Sequence, residues 1–230
     1  MQIDKPVVTG RLLRRYKRFL ADIEMDDGSI EVAHCPNTGS LLGCLPERAP
    51  AVLRDSQDPK RKLRYTLQTV EVDGTWVNVD TSLPNAVVAE AIETGQVPEL
   101  VGFASQRREV KYGQGSRIDI LLEDPGKCYV EVKSTTLCEN GEARFPDAVT
   151  ERGRKHLEEL AGMVREGHRA VIFFHVSRGD VESFAPADDI DPKYGETLRR
   201  VVKEGVEVQA WATDVTPNSL ALARALPVRL

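Results

Sequence analysis

Residues 117–134 constrain this chain more than any other segment. Two apolar-rich runs, 117–122 and 128–133, flank Glu123-Asp124-Pro125-Gly126-Lys127, a stretch of turn formers. That pattern predicts a β-hairpin. Side chains alternate along a strand, so Asp119 and Leu121 share one face while Ile118, Ile120 and Leu122 share the other. On the second strand Tyr129, Glu131 and Lys133 share a face, and Val130 and Val132 point away. With residues 123–127 all in the loop, Leu122 faces Cys128 and Asp119 faces Glu131.

Two carboxylates opposed in this way repel, and burying them is costly unless positive charge sits between them. A divalent metal supplies that charge, and an oxygen-only ligand set suits Mg²⁺ or Mn²⁺. Lys133, on the same face, would lie beside the metal, where it can polarise a water or stabilise charge developing on a phosphate. The same spacing also fits a surface hairpin whose Asp, Glu and Lys form a solvated ladder of ion pairs worth little. Spacing alone leaves the two readings level.

Asp119, eleven intervening residues and then Glu131-Val132-Lys133 resemble the core of the PD-(D/E)XK nucleases, although the usual Pro-Asp is Ile118-Asp119 here. The chain more closely resembles the sugar fermentation stimulation protein A (SfsA) family. The matching pieces are His34-Cys35-Pro36-Asn37-Thr38-Gly39-Ser40, Leu83-Pro84-Asn85 leading to Glu90-Ala91-Ile92, and Gly115-Ser116-Arg117-Ile118-Asp119. They continue with Glu131-Val132-Lys133-Ser134-Thr135-Thr136-Leu137 and Phe145-Pro146-Asp147-Ala148-Val149-Thr150-Glu151-Arg152-Gly153, in order across nearly the whole chain. The resemblance implies an α+β protein of two domains: an OB-like N-terminal β-barrel and a nuclease-like C-terminal α/β domain with a mixed sheet. It also implies DNA binding without sequence preference.

At 230 residues the chain has room for one large domain or two small ones. No run approaches the ~18 apolar residues of a membrane span, and the first residues lack the apolar core of a signal peptide. These features predict a cytoplasmic protein with no membrane partner. The net charge of −5 argues against indiscriminate coating of nucleic acid, but clumped cations bind phosphate where the mean charge does not. Cys35, Cys44, Cys128 and Cys138 include no Cys-x-x-Cys pair. They read as reduced structural thiols rather than zinc ligands.

In chain order, residues 7–15, 18–25, 29–33, 63–72 and 75–79 read as five short strands of a small barrel. Phe19, Ala21, Ile23 and Met25 alternate with polar residues in the second, and Ile30 and Val32 are the inward candidates of the third. Arg11, Arg14, Arg15, Lys17 and Arg18 surround Tyr16, a pattern that suits phosphate contact with base stacking; Tyr16 taken alone reads as core. Asn37-Thr38-Gly39-Ser40 is a turn whose backbone can approach a phosphate or the second domain. Asn85 is placed to cap a helix that runs to Gly95. On that apolar helix Glu90 is either a third acidic group at the metal or part of an exposed stripe.

Residues 99–112 read as a strand that the Gly113-Gln114-Gly115 turn carries into the central hairpin. Thr150 can cap the following helix, where Leu157, Leu160, Ala161 and Val164 form the packed stripe. Arg152, Lys155 and His156 lie off that stripe, near the end that favours anions. Residues 170–176 read as a strand covered on both faces. With the amphipathic segment 194–204 and the strand 206–212 they complete a β-α-β unit.

The expectation is therefore two domains, residues 1–82 and 83–230. Asp119 and Glu131 would hold Mg²⁺ or Mn²⁺, with Lys133 as electrostatic catalyst and Glu90 as a further ligand or base. The DNA phosphate backbone would be met by Arg11, Arg14, Arg15, Arg18, Asn37, Arg152 and His156. The function expected is a metal-dependent phosphodiester hydrolase. The rival is a non-catalytic DNA-binding regulator of sugar or maltose metabolism that keeps the nuclease fold. A sugar-metabolism enzyme has no supporting phosphate-binding glycine motif. The oligomeric state stays open, a homodimer included.

Overall fold

The computed structural model describes every residue except Asp4, Lys5 and Gln114, so the middle of the expected 113–115 turn lies outside the described residues. The N-terminal unit is built from β1 (Val7–Tyr16), β2 (Leu20–Met25), β3 (Ile30–His34), β4 (Ala49–Asp55), β5 (Tyr65–Val72) and β6 (Thr75–Asn78). The strands run β3-β2-β1-β4-β5-β6, and a parallel bridge from His34 to Thr66 joins β3 to β5. That bridge closes five strands into an OB barrel, with β6 as a hairpin arm on β5. Leu12, Ile23, Ala33, Leu53 and Leu67 fill the interior. Gly10 is required where β1 pairs with the end of β2, because a Cβ there would lie 2.7 Å from the Glu24 carbonyl oxygen.

The barrel has five strands, but not the five expected. β4 is missing from the sequence pattern because Pro50 interrupts it. The proline is tolerated because its missing N–H leaves one ladder position empty without ending the strand. β6 stands outside the closure. The inward residue of β3 is Ala33, opposite Ala21; Ile30 is 64% exposed and Phe19 is 47% exposed. Tyr16 is half-buried under the Arg14 guanidinium rather than in the core.

The second unit begins with α1 (Pro84–Glu93) and then β7 (Ser105–Tyr112), a shorter strand than expected because Pro98–Leu100 form a 3₁₀ turn. β8 (Ser116–Glu123) and β9 (Lys127–Thr135) follow, then β10 (Leu137–Glu139), β11 (Glu142–Phe145), α2 (Glu151–Arg165), β12 (Arg169–Val176), β13 (Ser183–Pro186), α3 (Pro192–Lys203), β14 (Glu207–Thr216) and β15 (Ser219–Ala225). The main sheet has the order β15-β14-β12-β9-β8-β7 and is mixed: β9, β12 and β14 are parallel and the outer pairs antiparallel. β10, β11 and β13 form a separate small sheet that the sequence did not announce, as it did not announce β15.

Helices cover both faces of the main sheet. Val88 and Ile92 of α1 pack with Val130, Val132 and Phe173 on one face. Leu157 and Leu160 of α2 and Leu198 of α3 pack with Tyr129, Ile172 and Phe174 on the other. Consecutive residues of β12 thus enter opposite cores, which is why the strand is apolar without alternation. No helix of the described residues is long and apolar enough to cross a membrane.

The two units are fastened at several points. The Asn78 N–H donates to the Ser177 carbonyl (2.9 Å) and Gln68 Nε2 to Pro217 O (3.2 Å). The chain also starts on the second unit, where Gln2 bridges Ser219. The seam nearest the hairpin is the turn at residues 37–41. There Ser40 Oγ donates to Asp147 O (2.6 Å) and the Leu41 N–H to Asp147 Oδ2 (2.8 Å). Gly39 makes this close approach possible, since a Cβ would meet Asn37 Oδ1 at 3.0 Å and both Asp147 carboxylate oxygens at 3.1 Å. Replacing Asp147 with Ala strands the Leu41 N–H. We expect a loss of about 1–3 kcal/mol, a Tm decrease of roughly 2–12 °C and faster proteolysis in the 79–84 connector. An unchanged melting curve and digestion pattern would show that this seam does not hold the units together.

Candidate metal and phosphate site

The hairpin forms in the expected register, with Leu122 opposite Cys128 and Ile120 opposite Val130. Beyond that pair the ladder stops. Asp119 is next in line, and its Oδ2 accepts the Val132 N–H at 2.7 Å in place of a backbone partner. Past Asp119 the strand bends, so Ile118 packs in the α2-side core with Leu121 instead of sharing a face with Ile120 and Leu122. The result is a pair of neighbouring carboxylates, Asp119 and Glu131, at the floor of a cleft of about 780 Å³. Asn37 and Thr81 of the barrel side, Asn85 of α1, Glu109 of β7, Arg117 of β8, and Arg152, Lys155 and His156 of α2 line its walls.

Burial is the main influence on Asp119, and the neighbouring Glu131 charge adds to it; together they push its carboxyl up to about 6. The Val132 N–H, Lys133 and Asn85 work the other way. Burial also opposes ionisation of Glu131, but the hydrogen bond from His156 and the charge of Lys133 outweigh it and hold that carboxyl below its ordinary range. Lys133 Nζ donates to Glu131 Oε1 at 2.7 Å. His156 Nδ1 meets the same oxygen, and Arg152 Nε donates to His156 Nε2 at 3.3 Å. With Nε2 accepting, Nδ1 carries the proton towards Glu131. Glu131 Oε2 is buried with no hydrogen-bond partner among the described residues, as are the hydroxyls of Tyr112 and Tyr194. Burial and then the Glu131 charge raise both phenols.

The residues named from sequence divide into two groups. Asp119, Glu131, Lys133, Asn37, Arg152 and His156 converge on the cleft. His156 does so as a buried partner of Glu131 rather than a solvated cation. Glu90 lies elsewhere: it is exposed on α1 and pairs with the terminal ammonium of Met1 at 3.1 Å. The N-cap of α1 is Leu83, and Pro84 takes the first turn. Asn85 is therefore inside the helix, and instead of capping it donates to Asp119 Oδ1 at 2.8 Å. The further acidic groups that do line the cleft are Asp147, which is engaged by the 37–41 turn, and Glu109, 3.5 Å from Asn85 Nδ2. Glu109 sits at a left-handed φ of 55° within β7, a conformation nothing in its sequence neighbourhood signals.

The barrel cations stand outside the cleft lining. Arg14 pairs with Asp22 at 2.7 Å and Arg11 donates to the Arg48 carbonyl at 3.3 Å. Arg15 is a brace: its guanidinium donates to the carbonyls of Arg18, Asn37, Gly39 and Ser40 and pins the cleft-side turn. Arg18 is exposed in the β1–β2 turn.

Among the described residues no group of three or more His, Cys, Asp or Glu is arranged to hold a metal. The donor set nevertheless fits a cation that takes only part of its shell from protein. A half-buried carboxylate, Asp119, and a buried one, Glu131, stand side by side, and one Glu131 oxygen has no partner among the described residues. Mg²⁺ in phosphate chemistry is held by one or two carboxylates, with substrate and water completing the octahedron.

A family model described as the sugar fermentation stimulation protein RE domain matches residues 82–219, and one described as the SfsA N-terminal OB domain matches residues 13–79. A curated sugar fermentation stimulation protein homolog from Geobacter sulfurreducens is 53% identical over 228 residues, covering 99% of this chain and 98% of the relative. One from Geobacter metallireducens is 54% identical over 232 residues and covers all of both chains. Among solved structures, that of Pyrococcus furiosus SfsA in complex with Ca²⁺ is 30% identical, covers all of both chains and superposes with a TM-score of 0.87.

The raised Asp119 carboxyl has a consequence for stability. It binds a proton more tightly in the folded state (about 6) than at its ordinary value of 3.8. The metal-free fold therefore loses this contribution as pH rises from about 4 to about 6, up to roughly 2–3 kcal/mol. Asp119→Asn removes the titration. Its Tm relative to wild type, without metal, should rise between pH 4 and pH 7. A relative Tm that is flat with pH would show that Asp119 carries no such strain.

Proposed function

This chain belongs to the sugar fermentation stimulation protein (SfsA) family, and we propose that it binds nucleic acid without sequence preference and hydrolyses a phosphodiester with a divalent metal at the Asp119–Glu131 pair. The observation that carries this reading is the carboxylate pair on the cleft floor, Asp119 half-buried and Glu131 buried, with one Glu131 oxygen unpartnered and Lys133 on the same face. A relative of the same fold, 30% identical, was solved in complex with Ca²⁺, an oxygen-seeking cation like Mg²⁺ and Mn²⁺.

In this reading Asp119 and Glu131 hold Mg²⁺ or Mn²⁺, which when bound neutralises phosphate charge and lowers the pKa of a water. Asn85 and the Val132 N–H fix the Asp119 carboxylate so that its oxygens do not reorient. His156 holds Glu131 in the same way. Lys133 Nζ, which rests on Glu131, is free to turn to the phosphate once Glu131 is otherwise compensated, and it stabilises the charge that grows on the non-bridging oxygens. Arg117, Arg152 and Lys155 on the cleft walls meet the flanking phosphates. DNA is the partner the family resemblance implies.

One observation favours a second reading. Glu131 Oε1 is already satisfied by Lys133 and His156, so the pair is partly neutralised without metal. A protein of this kind could bind nucleic acid and regulate without cutting. Lys133→Ala separates the two. Lys is no metal ligand, so Mn²⁺ binding by calorimetry should stay near wild type while cleavage of labelled single- or double-stranded substrate falls about 10²-fold or more. A wild-type protein that binds nucleic acid but cuts nothing with either metal would make the regulator the better account.

A further inference from the structure

The tip of the β1–β2 hairpin is made in an unfavourable way. Tyr16 pairs with Leu20, so Lys17, Arg18 and Phe19 form the turn. Lys17 and Arg18 are both left-handed, with φ of 50° and 66°. Turns of this shape are ordinarily made with Asn and Gly, because a Cβ disfavours the conformation. Here two long cations are kept there instead, and strain of this sort tends to persist where the side chains serve a function.

Phe19 stands beside them, 47% exposed although its place in the sequence pattern is an inward one. The nearby acid Asp22 is already paired with Arg14, so the positive charge of the tip is not cancelled by it. Arg15 ties this tip to the cleft: Nε donates to the Arg18 carbonyl at 2.9 Å while Nη2 donates to the carbonyls of Asn37 and Gly39, both at 2.8 Å. Asn37 lines the cleft that holds Asp119 and Glu131. One side chain therefore spans from the exposed tip to the cleft rim.

We propose that Phe19 is a stacking platform for an unpaired nucleobase, with Lys17 and Arg18 as phosphate contacts, so that a single-stranded segment runs from the hairpin tip into the Asp119–Glu131 cleft. The proposal rests on the nucleic-acid reading above and names its substrate class. Duplex bases stack on each other and offer no free face to Phe19, whereas every unpaired base does, whatever its identity. Loops between barrel strands are where OB folds take oligonucleotides.

The test is fluorescence anisotropy on the full chain in EDTA, with a labelled oligo(dT) of about 20 nucleotides, long enough for one barrel-sized site, and a duplex of equal length, each at several salt concentrations. Phe19→Ala should weaken single-strand binding about tenfold, within the range for losing one stacked base, leave its salt slope unchanged and leave duplex affinity within twofold. Phe19→Trp should restore it. Replacing Lys17 and Arg18 together with Ala should reduce the single-strand salt slope by about 1.4, for two phosphate contacts. Thermal melts confirm that each variant is folded. If wild type binds the single strand and Phe19→Ala binds it equally well, the platform is wrong and the nucleic-acid reading stands. If wild type binds neither oligonucleotide at low salt, that reading fails and the platform with it. If Phe19→Ala converts a dimer to a monomer by sedimentation without changing affinity, Phe19 is a self-association contact and the proposal is overturned.

Discussion

Two carboxylates held next to each other on a sheet face at the floor of a cleft repel, and the architecture around the hairpin answers that repulsion. Asp119 gives up its place in the ladder to take the Val132 N–H, and Asn85 reaches from α1 to its other oxygen. Glu131 is met by Lys133 from its own strand and by His156 from α2. The compensating groups come from several elements, so the helices on the two sheet faces are both committed to the site. The compensation is incomplete, because one Glu131 oxygen stays without a partner and the Asp119 carboxyl is pushed up to about 6 by burial and by its neighbour. A surface ladder of solvated ion pairs would show neither feature.

The barrel contributes to the same place. Its turn at residues 37–41 is held from behind by Arg15 and from in front by Asp147, which puts Asn37 on the cleft wall. The cleft is therefore a property of both units. Arg15 illustrates how an expected ligand contact turns out to be a brace: its guanidinium commits four of its five N–H donors to carbonyls. Cations that can meet phosphate include Arg117, Arg152 and Lys155 at the cleft, the last loosely paired with Glu159 at 3.7 Å, and Lys17 and Arg18 at the hairpin tip.

The hairpin was legible in sequence because period-two alternation and the turn between the strands determine register. The turn is shorter than expected, Glu123 pairing with Lys127, but the register is the same, and it brings Asp119 next to the Glu131 strand, where the Val132 N–H then holds it. Thr150 was legible for a similar reason, since a cap is a local device; its hydroxyl accepts the Gly153 N–H at 3.0 Å. What was not legible depended on contacts distant in sequence. His156 flanks the apolar stripe of α2, and hydropathy cannot distinguish a solvated imidazole from one buried against a carboxylate. Asn85 and Glu90 went wrong together, because a start at Leu83 rather than Asn85 turns Asn85 towards Asp119 and leaves Glu90 to the N-terminal ammonium. Glu109 reaches the cleft through a single left-handed residue, and β4 hid behind a proline that the barrel accommodates. Phe19 fits the inward alternation of β2 but falls in the turn before it, which sequence periodicity cannot resolve to one residue.

The central claim is that the Asp119–Glu131 pair is a cation site and not a self-sufficient ion-pair cluster. The most direct measurement is an anomalous difference map from crystals equilibrated with millimolar Mn²⁺. The account predicts a peak between the two carboxylates, bonded to an oxygen of each, with Lys133 drawn off Glu131. Lys133 and His156 still seated on Glu131, with no Mn²⁺ peak in contact with either carboxylate, would contradict it.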